Sequence, residues 1–121
     1  MLITMGTLIF TSCTSQATYQ TIAPADAQKL MQDDSSVILL DVRTPAEHEE
    51  VHIPGSTLLP VDDIQAQAGT LLPDKTATII VYCRSGNRSQ VASKQLLDMG
   101  YKNVYDLGGI INWPYETEAG K

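Results

Sequence analysis

The six residues Cys83-Arg84-Ser85-Gly86-Asn87-Arg88 bring together a thiol nucleophile, two guanidinium groups and two conformationally permissive residues. Gly86 and Asn87 are the residue types that most readily adopt left-handed backbone angles. Successive N–H groups of this loop can therefore curl inward as an anion-binding nest. A helix expected to begin near Ser89 would point its positive dipole end at the same spot, and Arg84 and Arg88 would add full charges. Such a field favours an ionised Cys83 and would equally hold a persulfide anion on that side chain. The competing structural reading makes Cys83 a small buried hydrophobe at a strand end. Two arginines and two flexible residues within five positions of it have no use in that role.

For this loop to act, the chain must place Cys83 at the carboxyl end of a strand and follow it with a helix. Thr78-Ile79-Ile80-Val81-Tyr82 is the most strand-like run in the chain and should lie centrally in a sheet. A helix over about Ser89 to Met99 follows, with Val91, Leu96 and Leu97 expected to face inward and Gly100 as its C-cap. Elsewhere, apolar runs of strand length alternate with helix-length segments, the pattern of an α/β fold with a parallel sheet. Strands are expected at Tyr19 to Ile22, Val37 to Leu40, Ser56 to Leu59 and Val104-Tyr105. Pro24 opens a helix running to about Gln32. Thr44-Pro45 opens a short one that cannot pass Ile53, because Pro54 disfavours helical geometry before it. Asp62 to Ala68 fits a helix closed by Gly69, and Gly108-Gly109 leads to a last short helix around Ile110 to Trp113, stopped by Pro114.

With 121 residues, 43% of them hydrophobic, the chain can bury one core, built mainly from Leu, Ile and Val. The balance of 14 acidic against 8 basic side chains repels a phosphate backbone and argues against nucleic acid as a partner. Two cysteines, Cys13 and Cys83, do not make a disulfide framework. Leu8-Ile9-Phe10-Thr11-Ser12 before Cys13 is apolar and ends in small residues; it resembles a bacterial lipoprotein signal. That resemblance implies cleavage before Cys13, a lipid on Cys13, and an extracytoplasmic domain tethered to the bacterial cell membrane; without the lipid the expected location is the cytoplasm. Residues 1–18 are then signal and tether, and 19–121 the folded domain.

Leu40-Asp41-Val42-Arg43, His52-Ile53-Pro54-Gly55, Val81 to Ser89, Gly100-Tyr101 and Leu107-Gly108-Gly109-Ile110 together resemble the rhodanese homology domain in content, order and spacing, from about Thr21 to Trp113. The resemblance implies a five-stranded parallel sheet flanked by helices. It also implies that Cys83 is catalytic and that Arg84, Ser85, Gly86, Asn87 and Arg88 form the substrate-binding cradle. The four residues between Cys83 and Arg88 look like a sulfurtransferase loop; related phosphatases have one more. No Asp or Glu within the loop could protonate a leaving alcohol.

The expected reaction passes a sulfane sulfur from a small anionic donor such as thiosulfate, through a Cys83 persulfide, to a thiol or cyanide. It needs no cofactor or metal, and the chain is expected to work as a monomer. The alternative on the same fold is a persulfide carrier or partner-docking module without turnover. His48-Glu49-Glu50-Val51-His52 reads as H-E-x-x-H, but Pro54-Gly55 interrupts the helix such a zinc site requires, and no third ligand is evident. Asp41 is expected to bond turn amides, Arg43 to pair with Glu47 or Glu49, and Trp113 to belong to the core.

Overall fold

The computed structural model describes residues 18–121. Cys13 and the expected lipoprotein signal lie outside the described residues. Five strands form one parallel sheet: β1 (Gln20–Thr21), β2 (Ile38–Asp41), β3 (Thr57–Leu58), β4 (Thr78–Cys83) and β5 (Asn103–Gly109). Their order is β1-β5-β4-β2-β3, which makes β4 the central strand. The helices are α1 (Pro24–Asp33), α2 (Pro45–Glu50), α3 (Ile64–Leu71) and α4 (Asn87–Asp98), with short 3₁₀ turns at Val61–Asp63 and Ile110–Asn112.

Strand β4 is buried from Ile79 onward because helices cover both faces of the sheet, and its alternating side chains divide the core in two. Ile79, Val81 and Cys83 join Leu40, Val42, Ile64, Ala68, Ala92, Leu96 and Tyr101 on the side of α3 and α4. Ile80 and Tyr82 join Ala27, Leu39 and Ile53 on the side of α1, where Trp113 packs at the edge. Each fully buried Leu or Ile contributes roughly 1.5–3 kcal/mol of transfer free energy, so the sheet centre under the loop is its best-anchored part.

Helix starts and stops follow local chemistry. Thr44 caps α2 in a reciprocal capping box: its hydroxyl accepts the Glu47 N–H, and the Glu47 carboxylate accepts the Thr44 N–H. Helix α4 ends in a Schellman motif, with Gly100 N–H donating to the Leu97 carbonyl, Tyr101 N–H to the Leu96 carbonyl, and Gly100 at φ +100°.

Three expectations need correction. Gly69 does not close α3; the helix runs on to Leu71, and the Leu72 N–H still bonds the Ala68 carbonyl as Leu72 enters the core. Helix α4 begins at Asn87, before Ser89. Val91 faces outward at 52% exposure, while Ser89, Ala92, Ser93 and Leu96 face the sheet. That inner face is mostly small, which lets the helix lie close to β4 and β5.

Candidate active site

Strand β4 ends at Cys83, and the chain turns at once into α4 through Arg84, Ser85 and Gly86. Gly86 sits at φ +109°, a conformation that costs an L side chain roughly 1–2 kcal/mol and glycine nothing. This turn brings the Gly86 N–H to 3.0 Å from Cys83 Sγ, with the hydrogen directed at the sulfur. It also places the start of α4 immediately beyond. Ser89 closes the turn from the helix side, its hydroxyl donating to the Gly86 carbonyl at 3.1 Å. Asn87, expected to share the left-handed role, is instead the first residue of α4.

Strand β5 holds the loop from below. Gly109 lies beside Cys83 in the β4–β5 register, and a Cβ added there would collide with the Arg84 carbonyl oxygen and come within 2.7 Å of Ser85 Cα. The Ile111 N–H then donates to the Arg84 carbonyl at 3.2 Å. Glycine at 109 is therefore a packing requirement of the loop, which the sequence, where Gly108-Gly109 reads only as the lead into a short helix, does not reveal.

The two cradle arginines differ. Arg84 is exposed and enters no ion pair among the described residues. Arg88 makes a two-pronged pair with Glu47, Nη1 to Oε1 at 2.7 Å and Nη2 to Oε2 at 2.9 Å. The sequence predicts Glu47 or Glu49 as the partner of Arg43, and neither takes that place. Glu47 faces Arg88 instead because the capping box already turns its carboxylate toward the start of α2. The Arg88 pairing, ahead of the Thr44 bonds, pulls the Glu47 carboxyl down to about 2. Arg88 is correspondingly raised, first by Glu47 and then by the nearby charges of Cys83 and Asp41. Glu47 and Arg88 are 41 positions apart, and the capping box, which involves only Thr44 and Glu47, gives no sign of this contact in the sequence.

Arg43 turns back on its own strand end. Its guanidinium donates from Nε to Asp41 Oδ1 at 2.9 Å and from Nη2 to Oδ2 at 2.8 Å, with Nη2 also 2.6 Å from the Val51 carbonyl. Asp41 accepts further from the Arg43 backbone N–H, from the Tyr82 hydroxyl and from His48 Nδ1. A carboxylate only accepts, so Nδ1 carries the proton of His48. Burial alone would raise the Asp41 carboxyl; the bonds from Arg43 and His48 outweigh it and hold it below the usual range. Tyr82 is pushed up to about 12, mainly by burial. His48 in α2 and His52 just beyond its end stack their rings with centroids 4.0 Å apart, and both bind protein atoms: His48 binds Asp41, while His52 binds the His48 carbonyl and Glu118.

A cysteine at the end of the central parallel strand, a glycine turn aiming its amide at the sulfur, and an arginine clamped beside it form one constellation. A family model described as the rhodanese-like domain matches residues 23–115. The chain belongs to the rhodanese-like family. It is 35% identical to the thiosulfate sulfurtransferase PspE of Escherichia coli (strain K12) over 71 residues, which cover 59% of this chain and 68% of that one. It is 32% identical to the adenylyltransferase and sulfurtransferase UBA4 of Candida albicans, matching 94% of this chain but only 29% of that longer protein. A solved structure described as rhodanese with anions from E. coli superposes with a TM-score of 0.65 at 31% identity, covering 69% of this chain and 99% of that chain. The five-stranded sheet described above is thus the rhodanese-like fold, and the family is one of sulfurtransferases.

The rhodanese-like loop holds its cysteine more deeply than the sequence implied. Cys83 keeps 1% of its surface exposed, whereas Arg84, Ser85 and Asn87 stand out in solvent. Of the loop groups, Gly86 reaches the sulfur directly and Arg88 lies within electrostatic reach. Next to the loop lies a cavity of about 350 Å³ walled by Arg43, Glu47, Glu50, Arg84, Ile111 and Thr117, among others.

Proposed function

We propose that this protein transfers a sulfane sulfur through Cys83, taking it from a small anionic donor of the thiosulfate type and passing it to a thiol. The observation that carries this reading is the Gly86 N–H directed at Cys83 Sγ at 3.0 Å, a donor already oriented toward a sulfur anion. The Cys83 thiolate attacks the outer sulfur of thiosulfate. The sulfur–sulfur bond of the donor breaks, and sulfite departs with the bonding electron pair. Cys83 then holds a persulfide, whose terminal charge the loop amides and Arg88 stabilise. An acceptor thiolate attacks the outer sulfur, and the electrons of the broken bond return to Cys83. Cys83 is the only cysteine among the described residues, so resolution falls to an outside acceptor.

The depth of Cys83 favours this chemistry over phosphate-ester hydrolysis. A cysteine only 1% exposed suits end-on approach by a narrow terminal atom, whereas a phosphoryl group needs a wider ring of donors. The loop also lacks a carboxylic acid to protonate a leaving alcohol. We propose further that Cys13 carries a lipid and tethers the domain to the outer side of a bacterial cell membrane. The short apolar run before Cys13 supports this.

Intact-mass measurement after incubation with thiosulfate tests the first proposal. One added sulfur atom is expected on the wild type and none on Cys83→Ser, together with thiocyanate production from thiosulfate and cyanide by the wild type alone. Turnover retained by Cys83→Ser would overturn the mechanism, and persulfide without turnover would make the protein a carrier. Mass analysis of protein purified from its own cells tests the lipid; an unmodified Cys13 would overturn the anchor.

A further inference from the structure

We infer that the cavity beside the loop is the acceptor site and takes a small zwitterionic aminothiol, with Arg84 holding its carboxylate and Glu50 its ammonium. This rests on the sulfur-transfer reading and specifies its second substrate. At about 350 Å³ the cavity has the size of a small-molecule site and would take a single amino acid or a short peptide thiol. Four charged side chains line it: Arg43 and Arg84, Glu47 and Glu50. Arg43 is committed to Asp41 and the Val51 carbonyl, and Glu47 to Arg88 and Thr44. Glu50 and Arg84 are exposed and enter no ion pair among the described residues. The cavity therefore offers one available acid and one available base over a wall whose formal charges cancel. A dianionic donor gains little from such a wall, while a net-neutral ligand with a charge at each end is matched by it.

The rest of the wall suits the same ligand. Ile111, 62% exposed, offers apolar contact for the methylene that bears a thiol. Arg84 belongs both to this wall and to the loop that follows Cys83, and its carbonyl is tied to the Ile111 N–H at 3.2 Å, so a ligand bound here lies beside the residue next to the cysteine. Thr117 comes from the C-terminal segment, which backbone bonds between His52 and Glu118 at 2.8 and 2.9 Å, and from Gly120 to the Glu49 carbonyl at 2.7 Å, pin against the end of α2. In the transfer step the aminothiol sulfur attacks the outer sulfur of the Cys83 persulfide. The bond to Cys83 breaks, its electron pair stays on Cys83, and the aminothiol leaves as its own persulfide, with no external oxidant or reductant.

Binding of unreactive ligands tests this without requiring turnover. Calorimetric titration of the full chain should show S-methylcysteine binding about five-fold more tightly than either 3-(methylthio)propionate, which lacks the ammonium, or 2-(methylthio)ethylamine, which lacks the carboxylate. Glu50→Gln should erase the advantage over 3-(methylthio)propionate and keep the advantage over 2-(methylthio)ethylamine, with an unchanged thermal transition showing that the variant folds. In sulfur transfer, kcat/KM for cysteine relative to 3-mercaptopropionate should fall by the same factor. Equal affinity for all three ligands, or a preference untouched in Glu50→Gln, would overturn the inference. Failure of Cys83 to gain sulfur from thiosulfate would sink the transfer reading instead, and the titration would still decide whether the zwitterion binds.

Discussion

Strands β2 and β4 run side by side, with Asp41 opposite Tyr82, and both end in charged sequence, yet the two ends are built for opposite purposes. At the end of β2 every charge is consumed. Asp41 is fully buried and takes bonds from Arg43, His48 and Tyr82, while Arg43 spends its guanidinium on Asp41 and Val51. At the end of β4 more stays available: Arg84 is exposed and enters no ion pair among the described residues, and Gly86 aims an amide at a sulfur, while Arg88 is fixed in place by its pair with Glu47. A saturated network stiffens a scaffold and leaves nothing for a ligand, whereas an unsaturated one keeps its electrostatic energy for an incoming anion. The neighbouring strand ends thus act as frame and instrument, and the frame is what makes the instrument rigid.

Replacing the key group at each end should separate the two roles. Cys83→Ser should abolish thiocyanate formation while its urea midpoint stays close to wild type, because the substitution leaves the β4 packing nearly unchanged. Asp41→Asn should do the reverse. It leaves the Arg43 charge buried without its partner, which costs about 3–5 kcal/mol, a large share of a domain's stability. Chemical denaturation should show that loss, and the fraction that stays folded should still gain sulfur on Cys83. If Asp41→Asn lost persulfide formation at full stability, the division between frame and instrument would be wrong.

Gly109→Ala probes the contact between strand and loop. The new Cβ meets the Arg84 carbonyl and Ser85 Cα, so the loop must lift. A misplacement of about 1 Å costs on the order of a hundred-fold in rate. A fall of that size in kcat/KM at a stability loss of only about 1–3 kcal/mol is expected, read by steady-state kinetics alongside thermal melting. An unaffected rate would mean that the loop does not need its seat on β5.

The frame was the more legible part in sequence. The apolar run Ile79 to Tyr82, alternating with helix-length segments, predicts a central buried strand, and Thr44-Pro45 and Gly100 mark helix ends by chemistry that acts within a few residues. Contacts across the chain were harder. Glu47 reaches Arg88, 41 positions away, and nothing in the local pattern prefers that partner over Arg43. Val91 was expected inside because it is bulky and apolar. The close approach of α4 to the sheet selects Ser89, Ala92 and Ser93 instead, a choice set by the distance between elements and hidden in hydrophobicity. The loop chemistry at Cys83 was readable because nucleophile, glycine and arginines are adjacent in sequence; the depth of its burial depends on β5 and was not.

The Glu47–Arg88 pair joins frame to instrument and gives the smallest of these effects with a definite pH signature. The folded-state Glu47 carboxyl titrates at about 2, below its ordinary 4.5, chiefly because Arg88 bonds its charged form. The unfolded chain therefore binds more protons in between, and the stabilisation is fully present above about pH 4.5 and lost as pH falls toward 2. The pair is partly open to solvent, with side-chain exposures of 34% for Arg88 and 27% for Glu47, so screening reduces its worth to about 1 kcal/mol. Glu47→Gln should be less stable than wild type by that amount at neutral pH, and the two unfolding curves should converge as the pH approaches 2. Because Arg88 is no longer held from behind, the variant should also raise KM for thiosulfate at neutral pH, a change that loss of a helix cap alone would not produce. Thr44→Ala removes the cap hydroxyl and leaves Arg88 paired, so it should lower stability without moving KM. Equal KM changes in the two variants would reduce Glu47 to a capping residue and dissolve the link between the two strand ends.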